Sequence, residues 1–349
     1  MPFINERLES QSKSHGMNSP QLNASGVSRF TFDPPQIMDL LRRGILGQDE
    51  ALAAVEDLLY VVKAELAPEQ RPLGVVLLMG PTGVGKTETV RLLSRALQGH
   101  DDALSRVDMN TLGQEHYASA LVGAPPGYVG SKEGYSLFDA ERIRGSFSAP
   151  GVVLFDELEK ASPEVIQTLL NVIDSGWLTL PAGNRHIDFR NSLIFMTSNL
   201  GSADLARYQD RFKRGWRRLF TPDQHRQQQL LEEALQRRFE PEFINRIDRI
   251  VHYKTITGKS LDHLLDLELG KLNERLSRQG QHLSLSPAAR NWLQQGHNNR
   301  FGARDLSRRL RTDLLPVLAQ TLLNDSSTPY WYADLHDKSL VIRPDSYVK

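Results

Sequence analysis

The chain has 349 residues, 42 Lys+Arg against 42 Asp+Glu, no Cys and a hydrophobic fraction of 40%. Balanced charge gives no global field toward DNA or an anionic membrane, and the missing Cys excludes disulfides, thiolate zinc sites and thiol nucleophiles. The length suits about two domains of roughly 150 residues each, no apolar run reaches membrane-spanning length, and residues 1–10 lack a basic-then-apolar secretion signal, so a cytoplasmic protein is the expectation.

Residues 1–28 are rich in Ser, Asn and Gln. They read as a flexible tail, either a plain solvated one or a partner-docking peptide. Pro34-Pro35 opens a helix over 36–43, and 51–67 continues as an amphipathic helix after GILGQDE (44–50). The apolar run LGVVLLM (73–79) reads as a buried parallel strand, and 88–97 has helical spacing. A second strand is expected at 104–109. The stretch GAPPGYVG (123–130) holds too much Gly and Pro for a regular element. Strands follow at 151–155, ending in Asp156-Glu157, and at 192–196, ending in Thr197-Ser198-Asn199, with a helix over 163–175 between them. Apolar strands alternating with helices predict an α/β doubly wound parallel sheet with its ligand at the strands' carboxyl ends. From about residue 251 the pattern turns to helices over 261–278 and 303–323 with short strands at 282–285 and 339–342. The expected division is a tail (1–28), a large domain (29–250) and a small, mainly helical domain (251–349).

The stretch Gly80-Pro81-Thr82-Gly83-Val84-Gly85-Lys86-Thr87 is G-x-x-x-x-G-K-T between a strand and a helix, the confirming context of a P-loop. Its glycines let the backbone turn N–H groups onto phosphate oxygens, and the following helix presents its positive end to the same anion. Lys86 would reach the terminal phosphates of ATP and the Thr87 hydroxyl would ligate Mg²⁺. Asp156 is placed to complete the Mg²⁺ shell, and Glu157 to polarise a water for in-line attack. Asn199, ending the next strand, can hydrogen-bond that water or the γ-phosphate, and taken alone could equally be a turn residue. The ten His residues show no metal-ligand spacing and read as ordinary surface or core positions.

These stretches, in order, resemble a known family. GQDEAL (47–52), GPTGVGKTE (80–88), DMN (108–110), GAPPGYVGSKEG (123–134), VVLFDELEKASPEV (152–165), IDFRNSLIFMTSNLGS (187–202), FINRID (243–248) and FGARDLSR (301–308) look like the second ATPase ring of the Clp unfoldases, within the AAA+ ATPases. The resemblance implies a large P-loop domain, a helical lid, and roles by position. Ile45 and Leu46 would flank adenine, and Asn199 would sense the γ-phosphate. Arg246 would be the arginine finger reaching a neighbouring subunit's nucleotide, and Arg304 the second sensor arginine. A guanidinium supplied in trans stabilises the transferring phosphoryl group and ties hydrolysis to assembly. Read from the residues alone, Arg246 would rather pair with Asp248 or Glu242 in its own chain. Gly127, Tyr128, Val129 and Gly130 would form a pore loop whose aromatic grips unfolded polypeptide, the plain alternative being a buried loop Tyr. A second pore loop is expected near 181–185.

The implied assembly is a homo-oligomeric ring, a hexamer, with a polypeptide substrate and an adaptor or partner complex. The chain departs from the family in carrying one motor module with a short tail. It also lacks the aliphatic-Gly-aliphatic tripeptide after Asn199 that would dock a ClpP-type peptidase, so no such peptidase is expected. A basic, aromatic-interleaved stretch (208–218) stands there instead. It leaves open nucleic-acid binding, a disfavoured reading, as does a nucleotide-switched scaffold in a larger machine. Residues 145–150, GSFSAP, stand where the family has a basic, Pro-Tyr stretch.

Overall fold

A computed structural model describes residues 28–113, 138–180, 185–213, 223–256, 258–295, 302–324, 328–337 and 339–345. In chain order they form α1 (Pro34–Gly44), α2 (Asp49–Lys63), β1 (Gly74–Met79), α3 (Lys86–Gln98), β2 (Ser105–Asp108) and α4 (Ala140–Arg144). Next come β3 (Gly151–Asp156), α5 (Pro163–Ser175), the strands β4 (Trp177–Leu180) and β5 (Arg185–Asp188), and β6 (Ser192–Ser198). Then follow α6 (Ser202–Asp210), α7 (Gln224–Arg238), α8 (Pro241–Asn245), β7 (Arg249–His252) and α9 (Lys259–Ser277). The chain ends with β8 (His282–Leu285), α10 (Pro287–Gln295), α11 (Gly302–Arg309), α12 (Leu315–Asn324), β9 (Tyr330–His336) and β10 (Ser339–Pro344).

Contacts divide the chain into two compact units. The first comprises residues through Arg43, Asp49–Gly80 and Lys86–His252, and the second gathers Gly44–Gln48, Pro81–Gly85 and Tyr253–Lys349. The first is built on a five-stranded sheet in the order β2-β3-β6-β1-β7, with every neighbouring pair parallel. Every residue of β1, β3 and β6 is buried, which is why these strands read as unbroken apolar runs rather than alternating ones. One core cluster contains Val75 and Leu77 of β1, Val153 and Phe155 of β3, Ile194 and Met196 of β6, and Val165, Leu169 and Ile173 of α5. Helix α3 packs against β3 and β6.

Helix α5 has clean stops at both ends. The Ser162 hydroxyl accepts from the Val165 N–H, Pro163 sits in the first turn, and Gly176 ends the helix in the left-handed region, the expected cap chemistry. A Cβ at Gly176 would also stand 2.3 Å from the Arg190 side chain. Asp174 is thereby fixed in the last turn.

Four strands of the sheet follow from the sequence; the fifth, β7, does not. It is a short edge strand in which only Val251 is buried, so its sequence carries no apolar run. The antiparallel β4–β5 pair was likewise not expected. In the second unit a three-stranded sheet runs β10-β9-β8, antiparallel between β10 and β9 and parallel between β9 and β8. Strand β9 lies between the two strands that the sequence suggests, its Tyr-Trp-Tyr run masking the alternation of buried Trp331 and Ala333. The helix expected over 303–323 is interrupted by a π-helical turn, Leu310–Leu314. Pro316 lacks an N–H and its ring crowds the carbonyl four residues back; the wider turn just before it accommodates both.

Candidate nucleotide site

Because β3, β6 and β1 are adjacent, their carboxyl ends bring three distant sequence segments to one sheet edge. Met79 registers with Ser198 and Asp108 with Asp156, and the Gly80 N–H donates to the Ser198 carbonyl at 3.1 Å. Lys86 is buried, at 7% exposure. Its ammonium donates to the Gly80 carbonyl at 2.5 Å and to the Asn199 Oδ1 at 2.8 Å. A buried cation requires such acceptors. They hold Nζ where the P-loop strand and the end of β6 meet.

Asp156 is also buried and is held by donors from three elements. The Thr197 hydroxyl donates to its Oδ1 at 2.5 Å, the Arg106 guanidinium pairs with its Oδ2 at 2.6 Å, and the Thr87 hydroxyl lies 3.4 Å from Oδ1. Thr197 has a second task, since its oxygen accepts the Glu157 N–H at 3.0 Å. Glu157 stands at φ 58°, in the left-handed region, a conformation that costs a non-Gly residue about 1–2 kcal/mol. That backbone is fixed by Thr197, so one hydroxyl orients both acids. The Asn199 N–H in turn donates to Glu159 Oε1 at 3.3 Å. Thr197, Arg106 and Glu159 are absent from the residues singled out by sequence. Thr197 lies two positions before Asn199, and its task is visible only once β3 and β6 are paired.

Within the second unit the P-loop backbone has its own supports. Gly83 and Gly85 have φ of 76° and 107°, values that favour glycine. Ile45 is buried, and its Cδ1 lies 3.5 Å from where a Cβ would stand on Gly85; Leu46 is half-buried. Gln48 is buried and makes a two-way amide pair with Lys254, donating to its carbonyl at 2.8 Å and accepting its N–H at 2.9 Å. Gln48 also approaches the Val84 carbonyl at 3.4 Å. The Ala303 N–H donates to the Gly83 carbonyl at 2.7 Å. At Gly302, φ 49°, a Cβ would stand 2.4 Å from that same carbonyl oxygen, so only glycine fits. Arg304 follows one residue after Ala303 and is exposed.

Arg246 caps the end of α8 and is paired with Asp174 at 2.8 Å. It pairs with neither of the carboxylates that its sequence neighbourhood suggested. Asp248 is taken by Arg71 at 3.1 Å. Gly127, Tyr128, Val129 and Gly130 lie outside the described residues, as do 181–184 of the second pore-loop stretch and 214–218 of the basic one. The segment 145–150 forms a tight turn to which Arg29 and Thr31 are tied. Thr31 N–H donates to the Ser148 carbonyl at 3.0 Å and the Arg29 guanidinium to the Phe147 carbonyl at 3.1 Å. Burial pushes the Arg29 guanidinium below its ordinary range, against a smaller upward pull from Glu65.

The donor set at the sheet edge fits the groups that the P-loop implies. Thr87 and Asp156 offer only oxygen ligands, which suit Mg²⁺ rather than a softer metal. The buried Lys86 ammonium beside glycine-rich backbone suits a phosphate chain.

A parallel sheet with a P-loop after one strand and acids and an Asn ending its neighbours defines a P-loop ATPase of the AAA+ class. The family described as AAA domain (Cdc48 subfamily) matches residues 71–250, and that described as the C-terminal D2-small domain of ClpB protein matches residues 256–329. The chain belongs to the Clp-type AAA+ ATPases, and is a nucleotide-binding ATPase of the chaperone type. It is 49% identical over 302 residues to an ATP-dependent protease ATP-binding subunit-like protein, AmiB, of Pseudomonas aeruginosa, covering 85% of this chain and 81% of that one. A similarly named protein of Rhodococcus erythropolis is 39% identical, with 93% of each chain covered. Chaperone protein ClpB of Corynebacterium diphtheriae is 38% identical over 86% of this chain but only 33% of its own length. Among the described residues no helix is long and apolar enough to cross a membrane.

Proposed function

We propose that the chain is an ATP-driven protein unfoldase or remodelling chaperone, a homo-oligomeric ring, as a hexamer, that grips polypeptide through Tyr128 and its flanks Gly127, Val129 and Gly130. The observation that carries the reading is the grouping of Lys86, Thr87, Asp156, Glu157 and Asn199 at one sheet edge, in a chain that also bears GYVG and FINRID. In this reading the loop from Gly80 through Pro81, Thr82, Gly83, Val84 and Gly85 presents its backbone to the phosphates of ATP. Ile45 and Leu46 flank the adenine. Thr87 and Asp156 hold Mg²⁺, which supplies charge neutralisation at the transferring phosphoryl group. Lys86 adds positive charge at the same end, and its bond to Asn199 keeps both side chains trained on it. Glu157 takes a proton from the attacking water, and Thr197 fixes the backbone from which that carboxylate projects. Arg304 senses the bound nucleotide, and Arg246 completes the site of the next subunit.

A tyrosine suits a grip that must accept many sequences, since it offers broad apolar contact with little side-chain entropy to lose. ATP turnover moving such loops would pull on a chain segment. The test uses Glu157→Gln, which binds ATP without hydrolysing it. Mixed with ATP and a fluorescently labelled, permanently unfolded protein, it should raise the label's anisotropy, and adding Tyr128→Ala should abolish the rise. No rise with Glu157→Gln, or an equal one with the double variant, overturns threading through Tyr128. A rise with labelled single-stranded DNA instead would move the motor to nucleic acid.

A further inference from the structure

Arg246 is held by two sets of contacts that have nothing to do with each other in sequence. Its backbone carbonyl accepts from Arg71 at 3.0 Å, and Arg71 also pairs with Asp248 at 3.1 Å. Asp248 is stitched to the start of β1, its N–H donating to the Val75 carbonyl at 2.9 Å and its Oδ2 accepting the Val75 N–H at 2.8 Å. The backbone of Arg246 is therefore fixed to the strand that leads into the P-loop. Among the described residues the second set is a single contact, Arg246 Nε to Asp174 Oδ1 at 2.8 Å, between side chains that are 47% and 41% exposed.

A half-exposed ion pair of this kind contributes about 0–1 kcal/mol to folding, so stability does not explain it. A long arginine does have much rotamer freedom to lose when it must meet an acceptor. A carboxylate on the Nε edge removes part of that freedom. It still leaves amino groups of the five-donor fork able to meet a second anion. The pair is also too weak to withhold the guanidinium from a multiply charged phosphate. Asp174 itself is set by the last turn of α5, which Gly176 terminates in the left-handed region.

We infer that Asp174 is a positioning residue for Arg246, orienting its guanidinium toward the nucleotide of a neighbouring copy of the chain. The inference rests on the proposed trans role of Arg246. Turnover is measured at protein concentrations beyond which specific activity no longer rises, so that assembly is saturated. Arg246→Ala should lower kcat by roughly 10³-fold. Asp174→Ala and the isosteric Asp174→Asn should lower kcat by about tenfold and shift the KM for ATP by less than about twofold, because orientation matters only as charge develops. Asp174→Glu, which keeps the carboxylate, should recover most of the loss. In an Arg246→Ala background, Asp174→Ala should cost nothing more, since no finger remains to orient.

Wild-type kcat in both Asp174→Ala and Asp174→Asn, or a further loss on top of Arg246→Ala, overturns the inference while leaving the role of Arg246 standing. Wild-type turnover in Arg246→Ala removes that role and the inference with it. Because the half-exposed pair contributes little to folding, Asp174 variants should unfold at the wild-type midpoint, which separates orientation from damage to the fold.

Discussion

The carboxyl end of the parallel sheet and the surface around Arg246 hold charged groups by opposite means. At the sheet, Asp156 is 8% exposed at its side chain while its partner Arg106 is 50% exposed, and Thr197 and Thr87 add hydroxyls. At the surface, Arg246 has a fixed backbone and one half-exposed carboxylate. The first arrangement makes each contact costly to remove, since a buried polar group left without its partner loses about 1–3 kcal/mol. The second makes contacts cheap thermodynamically and leaves their value in orientation. Groups such as Asp156 are wired into the core; a surface group such as Arg246 has only its fixed backbone and its neighbour to present it.

Thr197→Val tests the buried side most severely. The change keeps shape and removes one hydroxyl that both donates to Asp156 and accepts from Glu157. Denaturant unfolding should show a loss of about 1–3 kcal/mol, and kcat should fall by roughly 10²-fold as both acids lose their orientation. Asp174→Asn, by contrast, should lower turnover without a stability change beyond about 0.5 kcal/mol. If Thr197→Val kept full stability, the contrast between buried wiring and surface presentation would collapse.

Gly302→Ala comes next in size. A Cβ there meets the Gly83 carbonyl oxygen at 2.4 Å, at a residue whose φ of 49° already disfavours any side chain. Backbone strain of this kind costs about 1–3 kcal/mol, and the atom that has to yield, the Gly83 carbonyl oxygen, belongs to the P-loop sequence. Binding of a fluorescent ATP analogue should weaken by about tenfold. Unchanged affinity would mean that the loop absorbs the displacement without consequence.

What the sequence makes legible is whatever is contiguous. The P-loop and Asp156-Glu157 each sit in a short stretch of telling residue types after a buried apolar strand, while Asn199, which could equally be a turn residue, gains meaning only from the strand it ends. Contacts that join distant segments are silent. Nothing about Thr197 distinguishes it from other strand threonines until β6 lies beside β3. Asp174 reads as an ordinary acid at a helix end, and the nearer carboxylates Asp248 and Glu242 are the natural guesses for Arg246. Asp248 is engaged instead by Arg71 and the β1 backbone. Short or aromatic-rich strands are hidden for a different reason: β7 buries one residue and β9 alternates beneath a run of aromatics. The grouping of Gly44–Gln48 and Pro81–Gly85 with the carboxyl-terminal residues depends on backbone contacts such as Ala303 to Gly83, which no side-chain pattern announces.

The smallest effect is expected at His252, on the edge strand that pairs with Met79 just before the P-loop. Burial pushes its imidazole below the ordinary histidine range near 6.5, and Glu232 opposes this more weakly. Its Nδ1 is buried without a hydrogen-bond partner among the described residues. The folded chain therefore prefers the neutral ring, while the unfolded chain takes up a proton at the ordinary value. Between the two values the unfolded state binds more protons, so stability rises with pH there. The contribution is complete above about pH 6.5 and is lost as pH falls from that point through the depressed folded value. His252→Asn removes the titrating group, so its unfolding free energy should fall less steeply than the wild type's as pH drops below about 6.5. Parallel profiles for the two proteins would show that the edge of the sheet admits enough water to solvate a charged ring, and the buried wiring would then begin inside β1 rather than at β7.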